Sequence, residues 1–446
     1  MPISLIINKA TASSIDREFV DLRANWVRKQ WLSPRNRYRV NCIAKINRDI
    51  KPPLNIAHGQ LREYIAASAI THCLDGWSYL GRAIESHIRG DHDTSRHLGY
   101  YAELRAAMAL LATAGIGVFQ NHHFVVVANR TCEEIPKTKS THAFVWEAFQ
   151  HWAGNSSSAE LVLQVIQPES YPLAEWLDHF STPSATRAVL AKEWLLRWGV
   201  DLERFTNDHD ARNLSSYRPT AFTSPRPLKV KEALSFITQF WNILEPGEAL
   251  GFPNLDKYLL RQSLEKLFSS AHGRSSIKSR KLFRQMVKQM LDGLPLNDLQ
   301  RKHWATFLAD KDSRVLPALL EEARGVAAVS DPLHNRQVLA RGAVLLRLAT
   351  GACRNKLKEV TDFDRSLLRF WWSPLGEDRG LWHSGEEPER FSDLWIDVRE
   401  AIGDLNSWKN GKDDASISYM KLWREKPGPA GMLGTCERIG LWGLGL

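Results

Sequence analysis

One stretch of this sequence limits the fold more than any other. From Leu98 to Ala114, within "SRHLGYYAELRAAMALLATAGIG", the residues are apolar nearly all the way round a helix, with Glu103 and Arg105 the main exceptions. A helix without a polar face has to be covered on several sides. Its alanines let neighbouring elements approach closely. The longest nearly apolar run, Ala106 to Phe119, falls short of the roughly 20 residues needed to span a bilayer. The stretch therefore predicts the central rod of a helical bundle, ended by Gly115 and Gly117.

The rest of the chain is patterned in the same way. "HGQLREYIAASAITHCLDGWSYLGRAIESHIRG" repeats apolar residues at Leu61, Ile65, Ile70, Leu74, Trp77, Leu80 and Ile84, a helical spacing with Gly90 as its stop. "VFQNHHFVVV" predicts a small hairpin with Gln120 to His123 in the turn. Further helical patterns run through "STHAFVWEAFQHWAG", "YPLAEWLDHF" and "SATRAVLAKEWLLRWG", and through eight segments after Val230. Pro219, Pro225 and Pro227 mark the best candidate boundary. No fixed repeat length appears, so a solenoid is not supported.

A chain of 446 residues predicts more than one core. The divisions read from it are a basic N-terminal arm (1–57), a helical domain (58–219), a Pro-rich linker (220–228), a second helical domain (229–426) and a Gly-rich tail (427–446). Five cysteines, odd in number and never in a C-x-x-C arrangement, argue against a disulfide framework or thiolate metal site. With no apolar leader at the N-terminus, a soluble cytoplasmic protein is expected. No Walker A loop, dinucleotide-binding glycine pattern, G-x-S-x-G elbow or H-E-x-x-H motif occurs. Nucleotide hydrolysis, hydride transfer and serine hydrolysis are disfavoured, and neither a cofactor nor a metal is expected.

The net charge of +9 is compatible with nucleic acid. Its surplus is concentrated between Leu22 and Pro52, where nine Lys or Arg face a single acid, Asp49. Trp26, Trp31 and Tyr38 are interleaved with Arg28, Lys29, Arg35, Arg37 and Arg39, a combination suited to phosphates and unpaired bases. The same residues also fit inward-packed aromatics beneath solvated charges. "SSIKSRKLFRQMVKQML" is a second basic element, with Lys281, Arg284 and Lys288 set apart from a stripe of Phe283, Met286, Val287, Met290 and Leu291. The many tryptophans after Trp371 need a core, or a protein partner, to cover them.

Two stretches resemble the HEPN superfamily of small helical bundles, found in toxin–antitoxin, CRISPR-associated and other antiviral systems. "GYYAELRAAMALLATAGIG" resembles its central helix. "ARNLSSYRP" resembles its signature of an Arg, often followed by Asn, with a His beyond. The resemblance implies a mainly α fold, a HEPN-like helical bundle with a small β-hairpin, followed here by a second helical domain. It also implies an RNA-engaging component of a prokaryotic defence or toxin-like system, used for binding or assembly. The enzyme alternative is a metal-independent endoribonuclease, commonly built across a homodimer, and a third reading is a protein-interaction scaffold.

On the enzyme reading Arg212 holds the scissile phosphate, Asn213 positions it, and the histidine's place is taken by Tyr217 or by a histidine from another segment or subunit. With an intrinsic pKa of about 10, a tyrosine is a poor base near neutrality. Read without the resemblance, Asn213 and Ser215 cap or turn the chain, Tyr217 packs and Pro219 ends the segment.

Two other constellations compete. "RAIESH" places Arg82 and His87 at the same spacing, but ahead of the central helix rather than after it. His92 and Asp93 are adjacent, as in metal-dependent phosphohydrolases, yet nothing in the sequence brings the three or four ligands a divalent ion needs.

Overall fold

Helix dominates because the apolar spacing is helical almost throughout and the breaks carry caps or glycines. The computed structural model describes residues 3–10, 12–136, 139–178, 192–217, 228–248, 251–272, 277–309, 315–328, 331 and 333–446. The first half runs α1 (Ile3–Ile7), α2 (Ala12–Val27), α3 (Cys42–Asp49), α4 (His58–Ile88), α5 (His92–Thr113), α6 (Thr141–Ala153), α7 (Ser156–Val165), α8 (Leu173–Leu177) and α9 (Arg204–Tyr217). The second runs α10 (Val230–Ile243), α11 (Pro253–His272), α12 (Ile277–Gly293), α13 (Asp298–Ala309), α14 (Ala318–Arg324) and α15 (Leu333–Lys358). It ends with α16 (Arg369–Asp378), α17 (Leu394–Asn410), α18 (Tyr419–Glu425), α19 (Pro427–Met432) and α20 (Glu437–Leu444). The fold is mainly α, as the patterning predicts.

The single sheet described is antiparallel, in the order β1 (Ile116–Phe119), β2 (His122–Val126), β3 (Cys132–Glu134). Phe119 pairs with His122, so only Gln120 and Asn121 form the turn, with Gln120 at φ 47°. His122 and His123 thus belong to a strand, correcting the wider turn read from the sequence. The third strand was not expected from the pattern.

α5 is the rod its sequence predicts. Asp91 caps it by accepting from Thr94 N at 3.1 Å, and Gly90 before it takes φ +79°. From Gly99 onward its residues are buried apart from Tyr101 and Arg105, and it packs against α4, α6, α9 and α15. α15 is buried even more completely, from His334 to Cys353. Its arginines disguise this in the sequence. They are taken inside by acids from other helices: Arg347 Nη2 lies 2.6 Å from Asp256 Oδ2, and Arg341 Nη2 lies 2.7 Å from Asp208 Oδ1. An unpaired charge could not be buried so.

Packing runs across the stretch expected to divide the chain. α15 lies on both α4 and α5, and α20 on α4. The linker expected at 220–228 falls, apart from Leu228, outside the described residues. The C-terminal stretch read as an aperiodic tail is helical, and every residue of α20 is buried. Its glycines are contact points: a Cβ at Gly440 would lie 2.6 Å from Leu74 Cδ1 and 3.0 Å from Trp77 Cδ1.

Most of the C-terminal tryptophans are covered by the chain itself: Trp372, Trp395, Trp408 and Trp442 are buried, and Trp241, Trp395 and Trp442 have ring centroids 6.4 Å apart. Trp371, Trp382 and Trp423 are half-buried. Among the described residues no helix is long and apolar enough to cross a membrane.

Candidate functional site

α9 is drawn against α5 and α6 by one face of its sequence. Phe205, Asp208 and Ala211 recur every three residues and are buried. Phe205 stacks on Trp146 of α6 at 4.3 Å with an 11° interplanar angle. Asp208 accepts twice from Arg341 Nη2, at 2.7 and 2.8 Å, and once from its Nε at 3.1 Å, while His334 Nε2 lies 3.2 Å away. Burial pushes the Asp208 carboxyl up, but Arg341 and His334 outweigh it and hold it ionised. Glu103, fully buried 3.4 Å from Arg341 Nε, is driven the other way, well above its ordinary value, by burial and by Asp208.

This seating presents Arg212 to α5. Its Nη2 donates to the Tyr101 hydroxyl at 2.5 Å, its Nη1 donates to Asn213 Oδ1 at 2.7 Å, and its guanidinium carbon lies 5.3 Å from the Tyr101 ring centroid. Nε is buried without a partner. Among the described residues no carboxylate pairs with Arg212.

Two histidines lie beside this tyrosine and arginine, and a third lies beside one of them. His97 of α5 lies 5.1 Å from Tyr101 between ring centroids, His142 of α6 lies 6.0 Å from Tyr101, and His209 of α9 lies 5.2 Å from His142. All three, with Tyr101, Arg212 and Asn213, are half-buried.

The hydrogen bonds assign their protons. Trp146 Nε1 donates to the Tyr100 oxygen at 3.2 Å, so the Tyr100 hydroxyl donates to His142 Nδ1 at 2.9 Å and the proton of neutral His142 sits on Nε2. Ser216 Oγ donates to the Arg212 carbonyl at 2.9 Å, so His97 Nδ1, 2.8 Å away, donates to Ser216 and leaves Nε2 as a free acceptor. Burial and then Arg212 lower both rings, His142 to about 4, so both are neutral at pH 7.

Tyr217 does not join them. α9 continues as helix through it, and five residues on a helix turn about 140° away from Arg212. It is 78% exposed, so the packing role read for it does not hold, and it stands on another face of the helix from Arg212. The competing pair is also separated: Arg82 is exposed and stacks 4.4 Å over Tyr79, whereas His87 is fully buried. Among the described residues no group of three His, Cys, Asp or Glu is placed to hold a metal ion.

The basic arm divides. Arg28, Lys29, Arg35 and Arg39 are exposed. Arg37 is not available to phosphate, because it pairs with buried Asp49 at 3.1 Å and donates to the Asn55 carbonyl. Trp26 and Tyr38 are buried in the core, leaving Trp31 half-buried. Lys281, Arg284 and Lys288 are exposed on α12, with Phe283, Val287, Met290 and Leu291 buried opposite.

The histidines are what the sequence reading missed. Two signals were present: His97 precedes Tyr101 by four residues on α5, and His209 precedes Arg212 by three on α9, so each pair shares a helix face. No protein-family model, curated protein or solved structure matches this chain.

Proposed function

We propose that this protein engages RNA and cleaves it without a metal at the α5–α6–α9 cluster. The observation that carries the reading is an arginine with no acidic partner among the described residues, half-buried beside His97 and His142, with His209 next to His142. A phosphodiester anion supplies the charge such a site lacks. It would also offset the cation that helps hold the histidines neutral, so that His142 takes up a proton as substrate binds.

The chemistry follows from the two tautomers. His97 Nε2 removes the proton of the ribose 2′-hydroxyl, whose oxygen attacks phosphorus as the P–O5′ bond breaks. His142, protonated on binding, returns a proton to O5′. Arg212 neutralises charge on the non-bridging oxygens. The products are a 2′,3′-cyclic phosphate and a 5′-hydroxyl end.

Supplied by one chain, these histidines remove the need for a second copy. Exposed Arg28, Lys29, Arg35, Arg39, Lys281, Arg284 and Lys288 support the binding half of the reading, since surface cations release counterions from a phosphate backbone. The superfamily resemblance supports a prokaryotic defence or toxin-like setting. Incubating the protein with RNA in EDTA tests the proposal: cleavage lost in Arg212→Ala is expected, and salt-sensitive binding without cleavage would reduce the site to a binding module.

A further inference from the structure

A cavity of about 600 Å³ opens where the arm meets α4, α5 and α16, lined by Lys29, Trp31, Arg39, Tyr64, His72, Arg105 and its partner Asp75 among others. Its size lies within the range of small-molecule sites. Its lining includes neither Tyr101, Arg212 nor the three histidines, and Arg105 in its wall stands one turn, about 6 Å, along α5 from Tyr101.

Its walls combine three chemistries. Trp31 is fixed by T-shaped contacts with Trp26, Phe370 and Trp371 at 6.3, 5.9 and 4.9 Å, so its ring is held ready rather than recruited. Lys29 and Arg39 are exposed and, among the described residues, have no carboxylate partner. Lys29 is held at φ 58°, a conformation that disfavours any residue with a Cβ and persists only when its surroundings impose it.

Between them lie polar groups that want a ligand. Arg105 Nη1 donates to His72 Nδ1 at 2.7 Å, which places the proton of His72 on Nε2. Burial and Arg105 keep that ring neutral, with its pKa pushed down to about 3. Gln30, also in the lining, has a buried Oε1 with no partner.

We propose that this cavity binds a nucleotide, its base against Trp31 and Tyr64 and its phosphate between Lys29 and Arg39. The base edge meets the His72 donor and the Gln30 acceptor. An apolar ligand would leave both of those groups unmet, and a bare phosphate would leave the aromatic wall unused. The nucleotide is either free or one residue of a bound strand, and cleavage at Arg212 is not required for either.

Photocrosslinking distinguishes the sources. The probes are 4-thiouridine and 8-azidoadenosine 5′-monophosphates, and 2′-O-methylated RNA carrying either base so that it cannot be cut. Irradiation should label peptides containing Trp31 or Tyr64, and labelling should fall about tenfold or more in K29E/R39E. Both substituted residues are exposed, and circular dichroism confirms that the variant stays folded. Labelling by the monophosphates identifies a free-nucleotide site, and labelling by the RNA alone identifies a strand subsite.

Absence of label at Trp31 and Tyr64 with all four probes, or equal label in K29E/R39E, overturns the proposal. Arg212→Ala should keep this label whether or not the wild-type protein cleaves RNA, so the two ideas fail separately.

Discussion

The Tyr101 hydroxyl accepts a 2.5 Å hydrogen bond from Arg212 Nη2 across 111 residues of chain. That contact joins the central rod to α9 and holds a guanidinium near His97 and His142. Tyr101→Phe keeps the ring beneath Arg212 and removes only the acceptor. It should lower kcat for RNA cleavage about ten- to a hundredfold through misplacement of the cation, with a stability change of about 1 kcal/mol. Tyr217→Ala should change neither quantity. Single-turnover kinetics and denaturant unfolding of the two variants check this.

His142 should titrate near 4 in the free protein, because burial and then Arg212 disfavour its charged form. Between that value and the usual 6.5 the unfolded chain binds a proton that the folded chain refuses, so this residue makes stability fall as pH drops through that window. Arg212→Gln removes one cause and leaves burial. Long-range ¹⁵N imidazole spectra should show the His142 midpoint move up in that variant while staying below 6.5.

The Glu103–Arg341–Asp208 group predicts opposite outcomes for two conservative changes. Burial and Asp208 raise the Glu103 carboxyl and favour its neutral form, so Glu103→Gln should cost less than about 1 kcal/mol. Arg341→Met strands Asp208, which is 1% exposed, and should cost about 3–5 kcal/mol. The pH sign is also set. Above the ordinary value of 4.5 unfolded Glu103 releases a proton that the folded chain keeps, so the wild type loses stability as pH rises from there. Glu103→Gln should lose less over the same range, which parallel unfolding titrations would reveal.

Among the arm's arginines, only the exposed ones should tune binding. Arg35→Glu should weaken RNA binding and flatten its salt dependence without changing the unfolding midpoint. Arg37→Met leaves Asp49, 2% exposed, with only Tyr38 and the exposed Arg48 beside it. It should destabilise the fold by on the order of 2–3 kcal/mol. Filter binding and thermal unfolding of both variants separate the two roles.

The rod, the hairpin and the long helix before them were legible because apolar periodicity reports burial directly. α15 was legible as a helix but its burial was not, since Arg341 and Arg347 break its apolar pattern and distant Asp208 and Asp256 make their burial possible. The end of the chain misled for the opposite reason: Gly440 and Gly443 read as loop residues, yet they permit close helix packing. At the candidate site Arg212 and Asn213 could be named from a local motif. His97, His142 and His209 converge only through tertiary packing, and no local spacing links His142 of α6 to Arg212 of α9.

The central claim is a ribonuclease site that uses the ribose hydroxyl and no metal. Its most direct test is a single-ribose substrate: a DNA strand with one internal ribonucleotide, incubated in EDTA, with product ends identified by mass spectrometry. Cleavage is expected only after that ribonucleotide, leaving a 2′,3′-cyclic phosphate and a 5′-hydroxyl, with loss of both products in Arg212→Ala and His97→Ala. An uncut strand, or the same products at the same rate from those variants, would contradict it.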